Sequence, residues 1–179
     1  MDVLTLEGVL SEQECEALVA EAEATGFDDA PITTLTGFRM MPEVRNNTRV
    51  MVDDVARAQW LWARTRAWIP AEHRGARVVG LNERLRYYRY HPGQYFEWHV
   101  DGSFRRSREE LSLLTLLVYL SDDFRGGCTE LAGLPPVVAR RGMAVAFDHR
   151  VRHRGAPVLA GTKYVLRTDV MYRYAADAS

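Results

Sequence analysis

The sequence predicts an α+β protein that is mainly β: an antiparallel sandwich or barrel with helices from the N-terminal third packed on one sheet. Beyond residue 76, short runs rich in β-branched and aromatic residues alternate with Gly, Pro and Asp breaks. They are RVVGL, ERLRYYRYH, QYFEWHVD, LSLLTLLVYL, GCTEL, GMAVAF and KYVLRTDVMYRY, with no helical period between them. The N-terminal third carries helical patterns instead. The length, 179 residues, suits one core, and no repeat, linker or low-complexity tract divides it. We therefore expect a single domain, 1–179, in which 1–75 supply helical support and a substrate loop and 76–174 form the β core.

The first helix is expected to start at Ser11, which forms a capping box with Glu14 three residues on. Cys15, Leu18, Val19 and Ala22 then recur at helical spacing until Gly26 ends the run. A second helix is expected from Asp53 or Asp54 to Pro70, with Val55, Ala58, Trp62, Thr65 and Ile69 on one face. Of Trp60, Trp62 and Trp68, two are expected to pack between helix and sheet. Residues 27–52 read as irregular and carry the polar string RNNTR, Arg45 to Arg49.

Composition excludes several classes. With 24 acidic and 23 basic residues the formal net charge is -1, which gives no case for a nucleic-acid-wrapping or polybasic membrane protein. No apolar run reaches the roughly 18 residues that cross a bilayer. The start, MDVLTLEGVLSEQE, lacks a basic n-region and a cleavage site, so no signal peptide is expected. Cys15 and Cys128 are too few for a disulfide framework and suit a reducing compartment, so the expected location is cytoplasmic. The basic residues are arginines with one exception, Lys163.

The chemistry gathers around histidine. His99 and Asp101 stand two apart on an expected strand, so imidazole and carboxylate project to the same face. About 50 residues on, a buried-looking strand runs into His149 and His153. Either imidazole would complete a 2-His-1-carboxylate facial triad, which suits non-haem Fe(II) with open positions and would also suit zinc. Ten residues beyond His153 comes Lys163. It shares a strand face with Val165 and Arg167, so two cations would point at the cavity, where a bound carboxylate would offset their burial.

These motifs, from about Asn82 to Tyr174, resemble the catalytic domain of the Fe(II)- and 2-oxoglutarate-dependent oxygenases, in their prolyl 4-hydroxylase-like branch. The likeness lies in YRYHPGQYFEWHVD, in LLTLLVYLSDDFRGGCTEL with its GG-x-T, and in a distal His followed ten residues later by Lys. It implies a double-stranded β-helix (jelly-roll) core. It implies His99, Asp101 and His153 as Fe(II) ligands, and Lys163 paired with the far carboxylate of 2-oxoglutarate. Tyr90 and Tyr119 would line that cosubstrate pocket, and Arg167 would play a secondary part. Arg45, Asn46 and Arg49 sit where related enzymes keep a substrate loop, and the loop 102–110 would close over it. The implied activity is hydroxylation of a C–H bond with dioxygen, giving succinate and CO2, on a prolyl residue, amino acid or small metabolite.

The plainer readings are these. His149 would be a hydrogen-bonded residue at the barrel mouth, His73 a solvent-exposed loop residue, and RRSREE a solvated loop. Gly126 and Gly127 would make a hairpin turn, since no helix follows to hold a phosphate. The rival for the whole chain is a non-catalytic, metal-binding cupin-like barrel or a dicarboxylate sensor. For a bare metal site the Lys163 and Tyr90 anchor would be superfluous.

Overall fold

The computed structural model describes residues 3–30, 32–34, 37–41 and 43–175. Two sheets face each other as in a jelly roll, and two helices cover the outer face of the larger one. That sheet runs in the order Leu4–Leu6, Ala144–Asp148, Glu110–Tyr119, Lys163–Arg173, Arg84–Tyr90, Thr48–Asp53, Asp28–Asp29, with every neighbouring pair antiparallel. Ala76–Leu81 pairs with the far half of Lys163–Arg173 and with Glu72–His73. The smaller sheet is Thr129–Leu131, His153–Gly155, Phe96–His99. Two short pairs complete the set: Arg125–Gly126 with Val158–Ala160, and Ile32–Thr34 with Gly37–Arg39.

Alternation along the strands divides the core in two. Leu85 and Tyr87, Leu166 and Val170, and Leu114, Leu116 and Val118 turn outwards beneath the helices. Tyr88 and Tyr90, Leu117 and Tyr119, Val145 and Phe147, and Val165 turn inwards between the sheets. Glu110–Tyr119 is buried at every residue because both its faces are covered, which is why it reads as an almost unbroken apolar run.

Helix α1, Glu12–Thr25, has the expected capping box: Ser11 Oγ accepts from Glu14 N at 3.2 Å and Glu14 Oε2 accepts from Ser11 N at 2.8 Å. It buries Cys15, Leu18 and Ala22. Helix α2, Val55–Thr65, starts from the Asp54 cap but ends earlier than expected, in a turn closed by Trp68 N to Thr65 O. Its fully buried residues are Ala58, Leu61 and Thr65, with Trp62 partly buried beside them, and Val55 is exposed. Trp60 and Trp62 pack against the core while Trp68 lies open, as two of three were expected to.

The expectation of an irregular 27–52 is corrected. Thr48–Asp53 is a full strand of the larger sheet, and Leu4–Leu6 is another. Of TRVMVD only Val50 is buried, so the apolar alternation that marks a half-buried strand was too thin to read. No helix of the described residues is long and apolar enough to cross a membrane.

Candidate metal and cosubstrate site

His99 ends one strand of the smaller sheet, His153 begins its neighbour, and the two are directly opposed in the register. Cross-strand partners lie on the same face, so both imidazoles enter the space between the sheets, with centroids 4.2 Å apart. Asp101 follows two residues after His99. One ligating atom from each of the three lies within 4.8 Å of the others: His99 Nε2 is 3.6 Å from Asp101 Oδ1, and His153 Nε2 is 3.6 Å from Asp101 Oδ2.

Each imidazole has its other nitrogen occupied. His99 Nδ1–H donates to Glu97 O at 2.7 Å and His153 Nδ1–H to Val151 O at 2.9 Å. Both Nε2 lone pairs therefore face the carboxylate, which is how metal-binding histidines are oriented. Burial pushes the His153 imidazole down to about 4, with partial opposition from Asp101, so it is neutral and able to ligate at ordinary pH. Burial alone would raise the Asp101 carboxyl, but Arg167 first and then the two histidines hold it well below its usual range. Two imidazoles and one carboxylate on one face fit a divalent metal with positions left open.

A model of the 2OG-Fe(II) oxygenase superfamily matches residues 85–168, the segment that carries the whole constellation. The match covers just under half of the chain and supports its resemblance to that superfamily. Prolyl 4-hydroxylase 1 of Arabidopsis thaliana is 28% identical across 90% of this chain, which spans 66% of that relative's length. A viral collagen prolyl hydroxylase from Paramecium bursaria Chlorella virus-1, solved with 2OG, superposes with TM-score 0.72 at 22% identity, covering 94% of this chain and 95% of the other. A Trichoplax adhaerens prolyl hydroxylase, solved with a hypoxia inducible factor peptide, superposes at TM-score 0.75 and 15% identity, covering 94% and 82%. These superpositions establish the jelly-roll fold. The superfamily's cofactors are Fe(II) and 2-oxoglutarate, with dioxygen as the other cosubstrate.

An inner cavity runs from His99 and His153 to Lys163, past Tyr90, Phe96, Leu117, Thr129 and Val165. Lys163 faces Tyr90 directly across the strand pair. The lysine is 3% exposed, its Nζ donates to Gly127 O at 2.6 Å, and it lies 5.3 Å from the Tyr90 ring and 5.6 Å from the Tyr119 ring. Burial pushes it down to about 8, only partly offset by Cys128. A cation enclosed this way, with a carbonyl for its hydrogen bond, calls for an anion. Gly127 is fixed in that position: its φ is +63°, and a Cβ would sit 2.9 Å from Val158 Cγ2.

The sequence-predicted residues do not all arrive together. Tyr119 stands behind the cavity wall, donating to Thr129 Oγ1 at 2.7 Å, so Thr129 lines the cavity in its place. Arg167 lines the same cavity as Lys163, but its guanidinium pairs with Asp101 and Asp169, at 2.8 and 3.4 Å. Arg45 and Arg49 line an outer cleft that reaches His99 and Asp101. Asn46 does not line it; its Oδ1 accepts from Tyr95 N at 2.8 Å and its carbonyl from Gln94 Nε2 at 2.7 Å, pinning the loop. Of the loop 102–110, only Gly102, Ser103 and Phe104 reach the cleft. Arg106 is tied to Glu83 and Glu110 instead.

Sequence reasoning missed several neighbours. Thr115 donates to Asp101 Oδ2 and contacts His149 Nδ1 at 2.9 Å, while His149 Nε2 meets Ser112 Oγ at 2.8 Å. His149, only 2% exposed, is thus hydrogen-bonded as expected but lies deep behind Asp101, not at the mouth. Thr115 is a hydroxyl inside an apolar run, a signal that was available. His73, expected in solvent, has its Nε2 2.7 Å from the buried Asp148. Phe96 stacks on His99 at 3.6 Å, and Arg86 and Tyr88 share the inward face of Tyr90; period-two counting from Tyr90 would have found both.

Proposed function

We propose that this chain is an Fe(II)- and 2-oxoglutarate-dependent dioxygenase that hydroxylates an unactivated C–H bond of a prolyl residue, an amino acid or a small metabolite. The observation that carries the reading is that two members of the His99, Asp101 and His153 cluster, both histidines, open onto the same cavity as the buried Lys163. In this reading the three side chains hold iron on one side, and Lys163 Nζ with the Tyr90 and Thr129 hydroxyls receives the far carboxylate of 2-oxoglutarate. Together the bound metal and cosubstrate supply dioxygen activation coupled to release of succinate and CO2. The chain's own tasks are ligation, orientation and exclusion of water. Phe96, Leu117 and Val165 line the cavity with apolar surface, which strengthens the charge pairing inside it.

Two of the relatives are a prolyl 4-hydroxylase and a collagen prolyl hydroxylase, which favours a prolyl substrate for this chain as well. Arg45, Arg49 and residues 102–104 line the cleft where it would dock. We treat 1–179 as one catalytic unit, supported by Leu4–Leu6 and Thr48–Asp53 being strands of the same sheet as Lys163. We place it in the cytoplasm on the two free cysteines. The experiment is succinate release with Fe(II), 2-oxoglutarate and oxygen, with and without proline-rich peptides and free proline. Slow formation that one of these stimulates is expected; no succinate under any of them would contradict the reading.

A further inference from the structure

Arg45, Arg49, Arg86 and Arg167 all line the outer cleft, of about 550 Å3, and Asp101 is its only acidic lining residue among those described. Two of these cations have anionic partners. Arg167 Nη1 is 2.8 Å from Asp101, and Arg86 Nη1 is 3.3 Å from Asp169 Oδ2. Arg45 differs. It is 4% exposed, its Nε donates to the neutral Asn47 Oδ1 at 2.7 Å, and its Nη2 is buried without a hydrogen-bond partner among the described residues. Its guanidinium is clamped between the rings of Tyr88 and Phe96, 4.5 Å from each centroid. A charge held so rigidly out of water is costly until an anion meets it.

The neighbours register the same field. Arg49 is held below its ordinary range, by burial first and by the Arg45 charge second. The enclosed Tyr88 hydroxyl would be raised by burial, yet Arg167, Arg45 and Arg86 together bring it below its usual value. This positive potential is separate from the cosubstrate anchor. Lys163 lines only the inner cavity, and Arg45, Arg49 and Arg86 line only the outer cleft; Tyr88, Phe96, His99 and Arg167 are shared between them, Arg167 being already paired with Asp101. The far carboxylate of 2-oxoglutarate thus has its own cation, and the arginines are left for another anion. A planar guanidinium with a free edge matches a carboxylate. An internal prolyl residue in a neutral peptide offers none.

We propose that the substrate carries a carboxylate, received at this cleft by Arg45 and Arg49; this rests on the oxygenase reading and specifies its substrate class. The carboxylate would come from a free amino acid, from the terminal residue of a peptide, or from an acidic side chain beside the reacting residue. Matched pairs separate the sources: L-proline against L-prolinamide, a peptide ending in a prolyl carboxylate against its amide, and a capped prolyl peptide with Glu against Gln as neighbour. Binding is read on the anaerobic holoenzyme, loaded with Fe(II) and 2-oxoglutarate, as a shift of its visible band. The band itself reports whether the oxygenase reading holds.

In at least one pair the acid should bind tenfold or more tighter than its neutral partner. Arg49→Gln should bring that ratio close to one, since Arg49 lies on the wall without the stacking that makes Arg45 part of the core. Arg77→Gln, whose side chain is 84% exposed, should keep the ratio. If the neutral member binds as well as the acid in every pair, or if no acid binds at all while the band is present, the proposal is overturned. An acid preference that survives in Arg49→Gln at full size would overturn it too.

Discussion

Arg167 Nη1 lies 2.8 Å from Asp101 Oδ1, so the only carboxylate of the triad is also half of a buried ion pair. Thr115 takes the other oxygen and passes the contact on to His149. The carboxylate is therefore held in one orientation from two sides, and kept ionised although burial opposes it.

Removing one partner of a buried pair leaves the other uncompensated, which costs about 3–5 kcal/mol. Arg167→Met should therefore be less stable by about that amount in denaturant unfolding. Asp101 has a depressed pKa in the folded protein, so its contribution is present above the ordinary carboxylate range and lost only as pH falls through the folded value. In Arg167→Met that value rises, and protonation would compete with iron. Fe(II) affinity should then drop between pH 8 and pH 6 at least threefold more than in the wild type. An equal pH response in both proteins would count against Arg167 as the group that keeps Asp101 ionised.

Thr115→Val keeps the shape and removes the hydroxyl that links Asp101 to His149. A buried imidazole left short of a partner costs about 1–3 kcal/mol, and loss of an outer hydrogen bond to a ligand typically lowers metal affinity about 10-fold or more. Both changes should appear together, the first in thermal unfolding and the second in Fe(II) titration. Metal affinity unchanged in a destabilised protein would make Thr115 a packing residue only.

The jelly roll was legible because its strands are covered on both faces or strictly alternate; all seven expected runs are strands. What was not legible lay at sheet edges. Thr48–Asp53 exposes Met51, Val52 and Asp53 and so lacks the alternation of a half-buried strand, and Leu4–Leu6 is too short to show any period. The triad could be named because H-x-D places two side chains on one strand face, and the family resemblance, with Lys163 ten residues after His153, chose His153 over His149. The direction of Arg167 could not, since a strand face says only that it points inward, and Asp101 and Asp169 capture it there. Asn46 was misjudged for a similar reason: a polar loop residue next to Arg45 was read as substrate-facing, while the backbone of Tyr95 claims its side chain.

Lys163 is pushed down to about 8 by burial. A carboxylate that meets it favours the charged form, so binding takes up a proton wherever the free lysine is neutral. Affinity for 2-oxoglutarate should accordingly be flat below pH 8 and weaken above it, by up to about tenfold per pH unit for one linked proton. Calorimetric titrations from pH 7 to pH 9.5 would show the bend. In Lys163→Arg, whose guanidinium stays charged, the bend should vanish whatever the absolute affinity. A wild-type affinity independent of pH across that range would remove Lys163 from the anchor.

In the proposed site one iron is held by His99, Asp101 and His153, with 2-oxoglutarate anchored at Lys163. The direct measurement is anaerobic titration of the Fe(II)-loaded protein with 2-oxoglutarate, following the weak visible band of the chelate, in wild type, His153→Ala, His149→Ala and Lys163→Ala. A charge-assisted bond of about 1.5–3 kcal/mol corresponds to at least tenfold in affinity. The band should saturate in the wild type, persist in His149→Ala, require at least tenfold more 2-oxoglutarate in Lys163→Ala, and be absent in His153→Ala. Saturation of His153→Ala at wild-type concentrations, with the band lost in His149→Ala, would contradict the assignment.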